Sequence, residues 1–185
     1  MEQKESRRVQ MTKRLLKTAL IELMQEKPFE QITIKELCEQ ADLNRTTFYL
    51  HYDDQRGVLQ DIEKETMEKT VEFMKNVSPD ADTVDMVAAY LSYVKENAQV
   101  FQTLLLRYDS KPFRQEFVLY TLDRIRGNLP YYGDPEHERY VLTFLMEGSN
   151  HIVMEWIRQG FDLPAREVAT LIYKLCDSVR DIAKE

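Results

Sequence analysis

An all-α fold is what this sequence predicts, and three observations carry the prediction. Gly and Pro are scarce, 5 and 6 in 185 residues, so few positions interrupt a helix. Strand-like runs of β-branched residues are missing, and helix formers such as Leu, Glu, Lys, Met and Gln dominate. Apolar residues recur at helical spacing between clear turn signals, which divides the chain into about nine helices. With 43% hydrophobic and 31% charged residues, this is the balance of a soluble globular protein with a sizeable core.

The first helix is expected over Val9–Glu26, where Leu16, Ala19, Leu20 and Leu23 share a face. It stops at Lys27-Pro28-Phe29, because the residue before a proline resists the helical conformation. Thr33-Ile34-Lys35-Glu36 is a capping box that opens a second helix ending near Gln40. Ala41-Asp42-Leu43 makes a tight turn, and Asn44 caps a third helix from Arg45 to about Tyr52. Asp53 or Asp54 caps a long fourth helix to about Val77, stopped by Ser78-Pro79-Asp80. Further helices are expected near Thr83–Glu96, Ala98–Leu106, Pro112–Asn128, Pro135–Gln159 and Pro164–Ala183.

Net charge is −7, so a basic signature over the whole molecule is absent. The distribution is uneven. Residues 1–56 hold 10 basic and 10 acidic side chains, and residues 57–185 hold 15 and 22. The opening segment concentrates Lys4, Arg7, Arg8, Lys13, Arg14 and Lys17, which suits phosphate contact at one end and equally fits an ordinary charged terminus. Two distant cysteines, Cys38 and Cys176, form no disulfide framework. With three histidines, no Cys/His spacing of a metal site and no Gly-rich phosphate loop, neither a metal, a cofactor nor an enzyme is expected. The start lacks a signal-peptide core, and no apolar run nears the ~20 residues of a membrane span. A cytoplasmic protein without membrane contact is the expectation.

The stretch Thr33–Arg56 reads as two short helices around a tight turn, a helix-turn-helix suited to the major groove of DNA. On the third helix, Phe48 and Tyr52 take the inward side, while Thr46 and Leu50 point outward, flanked by Thr47 and Tyr49. Hydroxyls bond phosphates or base edges, Leu50 suits a thymine methyl, and Arg45 suits guanine or backbone. A plain helical hairpin also fits this pattern.

Residues 12–60 resemble the DNA-binding region of the TetR family of bacterial transcriptional regulators. The resemblance lies in Thr33-Ile34-Lys35-Glu36-Leu37, Ala41, Leu43 through Tyr49, His51-Tyr52 and Val58-Leu59. It implies DNA-binding roles for Thr33, Lys35, Arg45, Thr46, Thr47, Tyr49, His51 and Gln55. Asp42 replaces a usual glycine and tolerates left-handed backbone. Gln55 replaces a common phosphate-binding lysine, which implies a shallower salt dependence. The expected division is a DNA-binding domain at residues 1–56 and a regulatory and dimerisation domain at residues 57–185.

In the larger unit, Tyr93 through Asn97, Leu104-Leu105 and Trp156 through Phe161 resemble one subgroup of TetR C-terminal domains. Val168, Ile172, Leu175 and Val179 follow heptad-like spacing, as do Val141, Leu145, Gly148 and Ile152. The resemblance implies a four-helix homodimer interface from these seams, although the periodicity alone fits the monomer's own core as well. Tyr90, Tyr93, Phe101, Phe117, Phe144 and His151 are candidates for a pocket taking a small apolar or amphipathic ligand, or else core residues. The implied function is a homodimeric repressor released from a palindromic double-stranded DNA operator by an inducer. Control by a protein partner is the alternative.

Overall fold

The computed structural model describes residues 7–78, 81–108, 110–111, 113–117, 120 and 135–182, of which 135, 138 and 179–182 are described by backbone alone. Eight α-helices have defined bounds: α1 (Arg7–Glu26), α2 (Ile34–Gln40), α3 (Arg45–Tyr49), α4 (Gln55–Lys75), α5 (Thr83–Glu96), α6 (Ala98–Gln102), α7 (Pro135–Arg158) and α8 (Ala165–Ile182). Residues 113–117 add a ninth helical stretch, and the described residues contain no strand. The expected Pro112–Asn128 helix falls mostly outside the described residues.

The caps form as the sequence predicts. The Glu36 amide donates to Thr33 Oγ1 at 3.2 Å, and the Thr33 amide donates back to Glu36 Oε2 at 3.0 Å. Asn44 Oδ1 accepts from the Thr47 amide at 2.7 Å, and Asp54, not Asp53, caps α4 by accepting from the Gly57 amide at 2.9 Å. Each bond satisfies an amide that a helix start leaves without an intrahelical partner.

Two bounds differ from expectation. Helix α3 ends at Tyr49 instead of Tyr52, because the His51 and Tyr52 amides both converge on the Phe48 carbonyl, at 2.9 and 3.0 Å. Helix α6 stops at Gln102, and Thr103–Arg107 continue as a π-helical turn in which the Tyr108 amide reaches back five residues to Thr103 O at 2.9 Å. A π turn inserts one residue into a helix, and hydrophobic periodicity over so short a segment does not register it.

The turn between α2 and α3 closes by a Schellman arrangement. The Leu43 amide bonds Cys38 O at 2.9 Å, the Asp42 amide bonds Glu39 O at 3.2 Å, and Asp42 sits at φ 53°. Asp is among the few non-glycine residues that visit this region readily. Asp42→Val should lower the unfolding free energy by roughly 1–2 kcal/mol, since a β-branched side chain crowds the following carbonyl there. Unchanged urea midpoints for this variant would contradict the turn geometry. Helix α7 ends in the same arrangement, with Gly160 at φ 73° and the Phe161 ring edge-on to Trp156 at 4.9 Å.

One continuous core runs from Leu16 of α1 to Cys176 of α8. Helix α1 packs on α2 and α4, α5 lies along α8, and α7 pairs with α8. Helix α4 spans roughly 32 Å at 1.5 Å per residue and links the N-terminal helices to the body. Its first half is fastened to α1: Lys17 pairs with Glu65 and, at 3.9 Å, with Asp61, which also accepts from the Tyr52 hydroxyl at 2.6 Å. Burial works to raise the Glu65 carboxyl, but Lys17 and Lys69 prevail and hold it below its ordinary range. Among the described residues no helix is long and apolar enough to cross a membrane.

Candidate nucleic-acid interface

Packing under α3 decides what its outer face presents. Phe48 is fully buried, with the Tyr49 ring edge-on at 5.4 Å and the Tyr52 ring tilted at 6.1 Å. This anchors one side of a five-residue helix too short to hold itself. The opposite side is open. Arg45 and Thr46 are exposed, Thr47 is half-buried, Tyr49 is 56% exposed and Leu50 is 75% exposed. Arg45, Thr46, Tyr49 and Leu50 therefore form one surface carrying a cation, two hydroxyls, an aromatic ring and an aliphatic group, a set that suits base edges and thymine methyls. Leu50, which the helical wheel places outward for a thymine methyl, is the most exposed large hydrophobic residue among the described residues.

The other candidates for DNA contact divide. Thr33 and Lys35 are exposed at the start of α2, with Lys35 3.7 Å from Glu39. His51 is half-buried behind α3. Gln55 departs from expectation. Its Nε2 donates to Ile32 O at 3.1 Å, so this amide is engaged in holding α4 against the entry to α2 instead of pointing only at a phosphate. Lys17, expected in a basic phosphate-binding segment, is likewise engaged with α4. Arg7, Arg8 and Arg14 stay exposed along α1.

Glu36 ties this region to pH. Its hydrogen bond with Lys27, then its bonds with Thr33, lower its pKa from 4.5 to about 2. A depressed carboxylate contributes stability that is fully present above 4.5 and is lost as pH falls toward 2, because the unfolded chain binds the proton more readily. The stability gap between the wild type and Glu36→Gln should therefore narrow as pH falls through that window. Thermal midpoints that stay equally far apart from neutral pH down to acid would rule this out.

In the body, Tyr90, Phe101 and Phe117 come together with Phe113. Ring centroids lie 5.3 Å apart for Tyr90–Phe117 and Phe101–Phe117, and 5.6 Å for Phe113–Phe117. Tyr93 joins this cluster edge-on to Phe101 at 6.0 Å and stacks on Phe73 of α4 at 4.5 Å. Burial raises the Tyr93 phenol pKa, against a hydrogen bond with Thr70 of α4 that lowers it. Phe144 and His151 do not belong with them. Phe144 is 66% exposed, and the His151 ring is exposed, its Nδ1 2.7 Å from Glu147 O. Both lie on the outward row of α7, where helical spacing cannot distinguish an apolar residue facing a core from one facing another chain.

The expected heptad seams split in the same way. Val168 and Ile172 are buried in the chain's own core, at 1% and 7% exposure, where α5 covers α8. The outward apolar residues of α8 are Leu171 and Leu175, at 45% and 48%. On α7, Val141, Leu145 and Ile152 are half-buried, while Tyr140, Phe144 and Gly148 are exposed. A contact of 3.8 Å between Ser149 Oγ and Cys176 Sγ sets α7 beside α8. A Cβ added at Gly148 would meet nothing within 4 Å, so this face is open in the single chain. The Val179 side chain lies outside the described residues. No group of metal-ligating side chains occurs among the described residues.

Comparison with known proteins agrees with this geometry. A profile described as bacterial regulatory proteins of the tetR family matches residues 15–62, and one described as a transcriptional regulator C-terminal region matches residues 81–178. The uncharacterized HTH-type transcriptional regulator YxbF of Bacillus subtilis (strain 168) is 26% identical over 180 residues, covering 89% of this chain. The chain spans only 44% of the length of that relative. A TetR transcriptional regulator from Streptococcus agalactiae 2603V superposes with a TM-score of 0.72 at 22% identity, covering 92% of this chain and 96% of the other. The fatty acid degradation regulator FadR of Bacillus halodurans gives 0.66 at 14% identity, covering 94% and 96%, and the dihydroxyacetone kinase operon activator DhaS gives 0.60 at 20%, covering 93% and 97%. These likenesses share the fold, and the matched profiles together account for both the helix-turn-helix and the helical body: the chain belongs to the TetR family of bacterial transcriptional regulators.

Proposed function

We propose that the protein is a homodimeric repressor whose two α3 helices read a palindromic operator, and that a small apolar or amphipathic ligand in the body releases it. Residues 1–56 are the reading unit in this scheme and residues 57–185 the regulatory and dimerisation unit. The observation that carries the proposal is the outward face of Arg45, Thr46, Tyr49 and Leu50, held from behind by Phe48. A single five-residue recognition helix has little grip, so two copies are needed, about 34–36 Å apart to meet successive major grooves. The outward face of Phe144, Gly148, Leu171 and Leu175 supplies a self-complementary surface for that pairing. Ligand control is supported by the aromatic cluster and its Tyr93–Phe73 stack, which links α5 to α4. A ligand favouring one arrangement of these rings would shift α4, and it acts only through its difference in affinity between the two arrangements.

Selection of bound sequences from a random DNA pool tests the reading. A palindromic consensus is expected, and Arg45→Ala should weaken its binding roughly 5- to 150-fold, the loss of one side-chain contact to a base. An absence of enrichment at low salt would sink the proposal. A thermal-shift screen of apolar compounds, followed by operator release, tests the ligand. Release only by another protein would replace the small molecule with a partner.

A further inference from the structure

We propose that the π-helical turn Thr103–Arg107 is the second anchor of the DNA-reading unit, and that Gln25 and Arg107 are the positioning residues that fix its angle on the body. The inference rests on the reading of the protein as an operator-binding dimer.

Helix α1 ends with carbonyls that lack intrahelical partners. One of them, Gln25 O, accepts from Arg107 Nη1 at 2.7 Å, across 82 positions of sequence. The guanidinium also places a cation at the negative end of α1. From the other direction, the Gln25 side-chain Nε2 donates to Thr103 Oγ1 at 2.6 Å. Thr103 is fully buried, and its hydroxyl proton goes to Gln99 O at 2.7 Å, so this hydroxyl both donates and accepts. The Phe29 ring meets Tyr108 edge-on at 5.2 Å, and the Ser110 hydroxyl donates to Glu63 of α4. One short segment of the body thus grips α1, the turn after it and α4.

The π turn is what allows this grip. One extra residue rotates everything after it by about 100° relative to a continuing α-helix. Leu104 and Leu105 remain buried at 0% and 1%, while Arg107 and Tyr108 turn toward the end of α1.

A second anchor has a mechanical consequence. The first half of α4 moves with the reading unit, because Lys17, Tyr52 and Gln55 fasten the two together. Further along α4, Thr66 and Thr70 bond back to Ile62 O at 2.7 Å and Thr66 O at 2.8 Å. Such back-bonding often bends helices, which makes this stretch of α4 the natural place for a bend. With α4 as its only support, the reading unit would tilt about that bend. The Gln25–Thr103–Arg107 contact lies off the α4 axis and blocks the tilt. It therefore sets the separation of the two recognition helices and, with it, the operator spacing.

The test uses the full-length dimer and the palindrome found by pool selection, rebuilt with spacers one or two base pairs longer and shorter. Arg107→Ala and Gln25→Leu should keep the half-site sequence but lose roughly threefold to tenfold of the preference for the best spacer, the effect of one or two hydrogen bonds. Arg107→Lys keeps a donor and a cation and should recover part of that preference, which a general loss of stability would not allow. Spin labels at Glu30→Cys in the DNA-free dimer give a second readout, with a broader distance distribution in the Arg107→Ala background. Unchanged spacer preference together with unchanged distance widths overturns the inference and leaves operator binding intact. If the wild type selects no palindrome, the operator reading fails and the inference fails with it.

Discussion

Leu175→Glu combined with Phe144→Glu should turn the protein into a folded monomer that binds its operator roughly 10²- to 10⁴-fold more weakly, the avidity lost when two half-site contacts become independent. The reason is geometric. Leu175 and Phe144 are 48% and 66% exposed in the single chain, so charging them removes little from its own core. In the proposed homodimer each new carboxylate would face the same patch on the partner across a two-fold axis, where apolar area would be lost and like charges would meet. Sedimentation velocity and operator titration are the measurements, with circular dichroism to show that the helices persist. A double variant that remains dimeric at micromolar concentration and binds the palindrome like the wild type would remove this face from the assembly. Val168→Glu is the informative contrast. Val168 is 1% exposed against α5, so this variant should unfold the body instead of only separating two chains.

The other large effect is expected at Phe48. Phe48→Ala should cost about 3–5 kcal/mol of unfolding free energy, the usual range for emptying a well-packed aromatic site. Typical domains have only about 5–15 kcal/mol in total, so the variant should be marginal at best. Phe48 has no exposure, and it supports both Tyr49 and Tyr52. Tyr52 in turn reaches Asp61 on α4, so the damage should spread from α3 to the α1–α4 contact. Urea unfolding followed by far-ultraviolet circular dichroism measures the loss. A midpoint within error of the wild type would mean that α3 is held by something other than this ring. Operator binding should fail in parallel, because Tyr49 loses the partner that fixes its orientation.

Much of this protein was legible in the residues alone. Thr33 with Glu36, Asn44, and the pair Asp53-Asp54 mark three helix starts, since a capping side chain must lie within a few residues of the amides it satisfies, and the structure selects Asp54 from the pair. Asp42 is readable for a different reason: it stands where the family resemblance places a glycine, and Asp tolerates the left-handed backbone found there. The family resemblance over residues 12–60 agrees with the matched profile at residues 15–62. Three things depended on tertiary structure. The outward side of α8 belongs to Leu171 and Leu175, while Val168 and Ile172 turn inward, because α5 covers one flank of that helix and heptad spacing does not record which flank is covered. Phe144 and His151 leave the aromatic cluster for the outer face, because a residue's companions across the fold are not written in its own helix. Gln25, Thr103 and Arg107 carry no motif, and they meet only because a π turn rotates one segment onto the end of a helix some 80 residues earlier. Local hydrogen bonding determined where the helices begin, and long-range packing decided which of their faces are left to act.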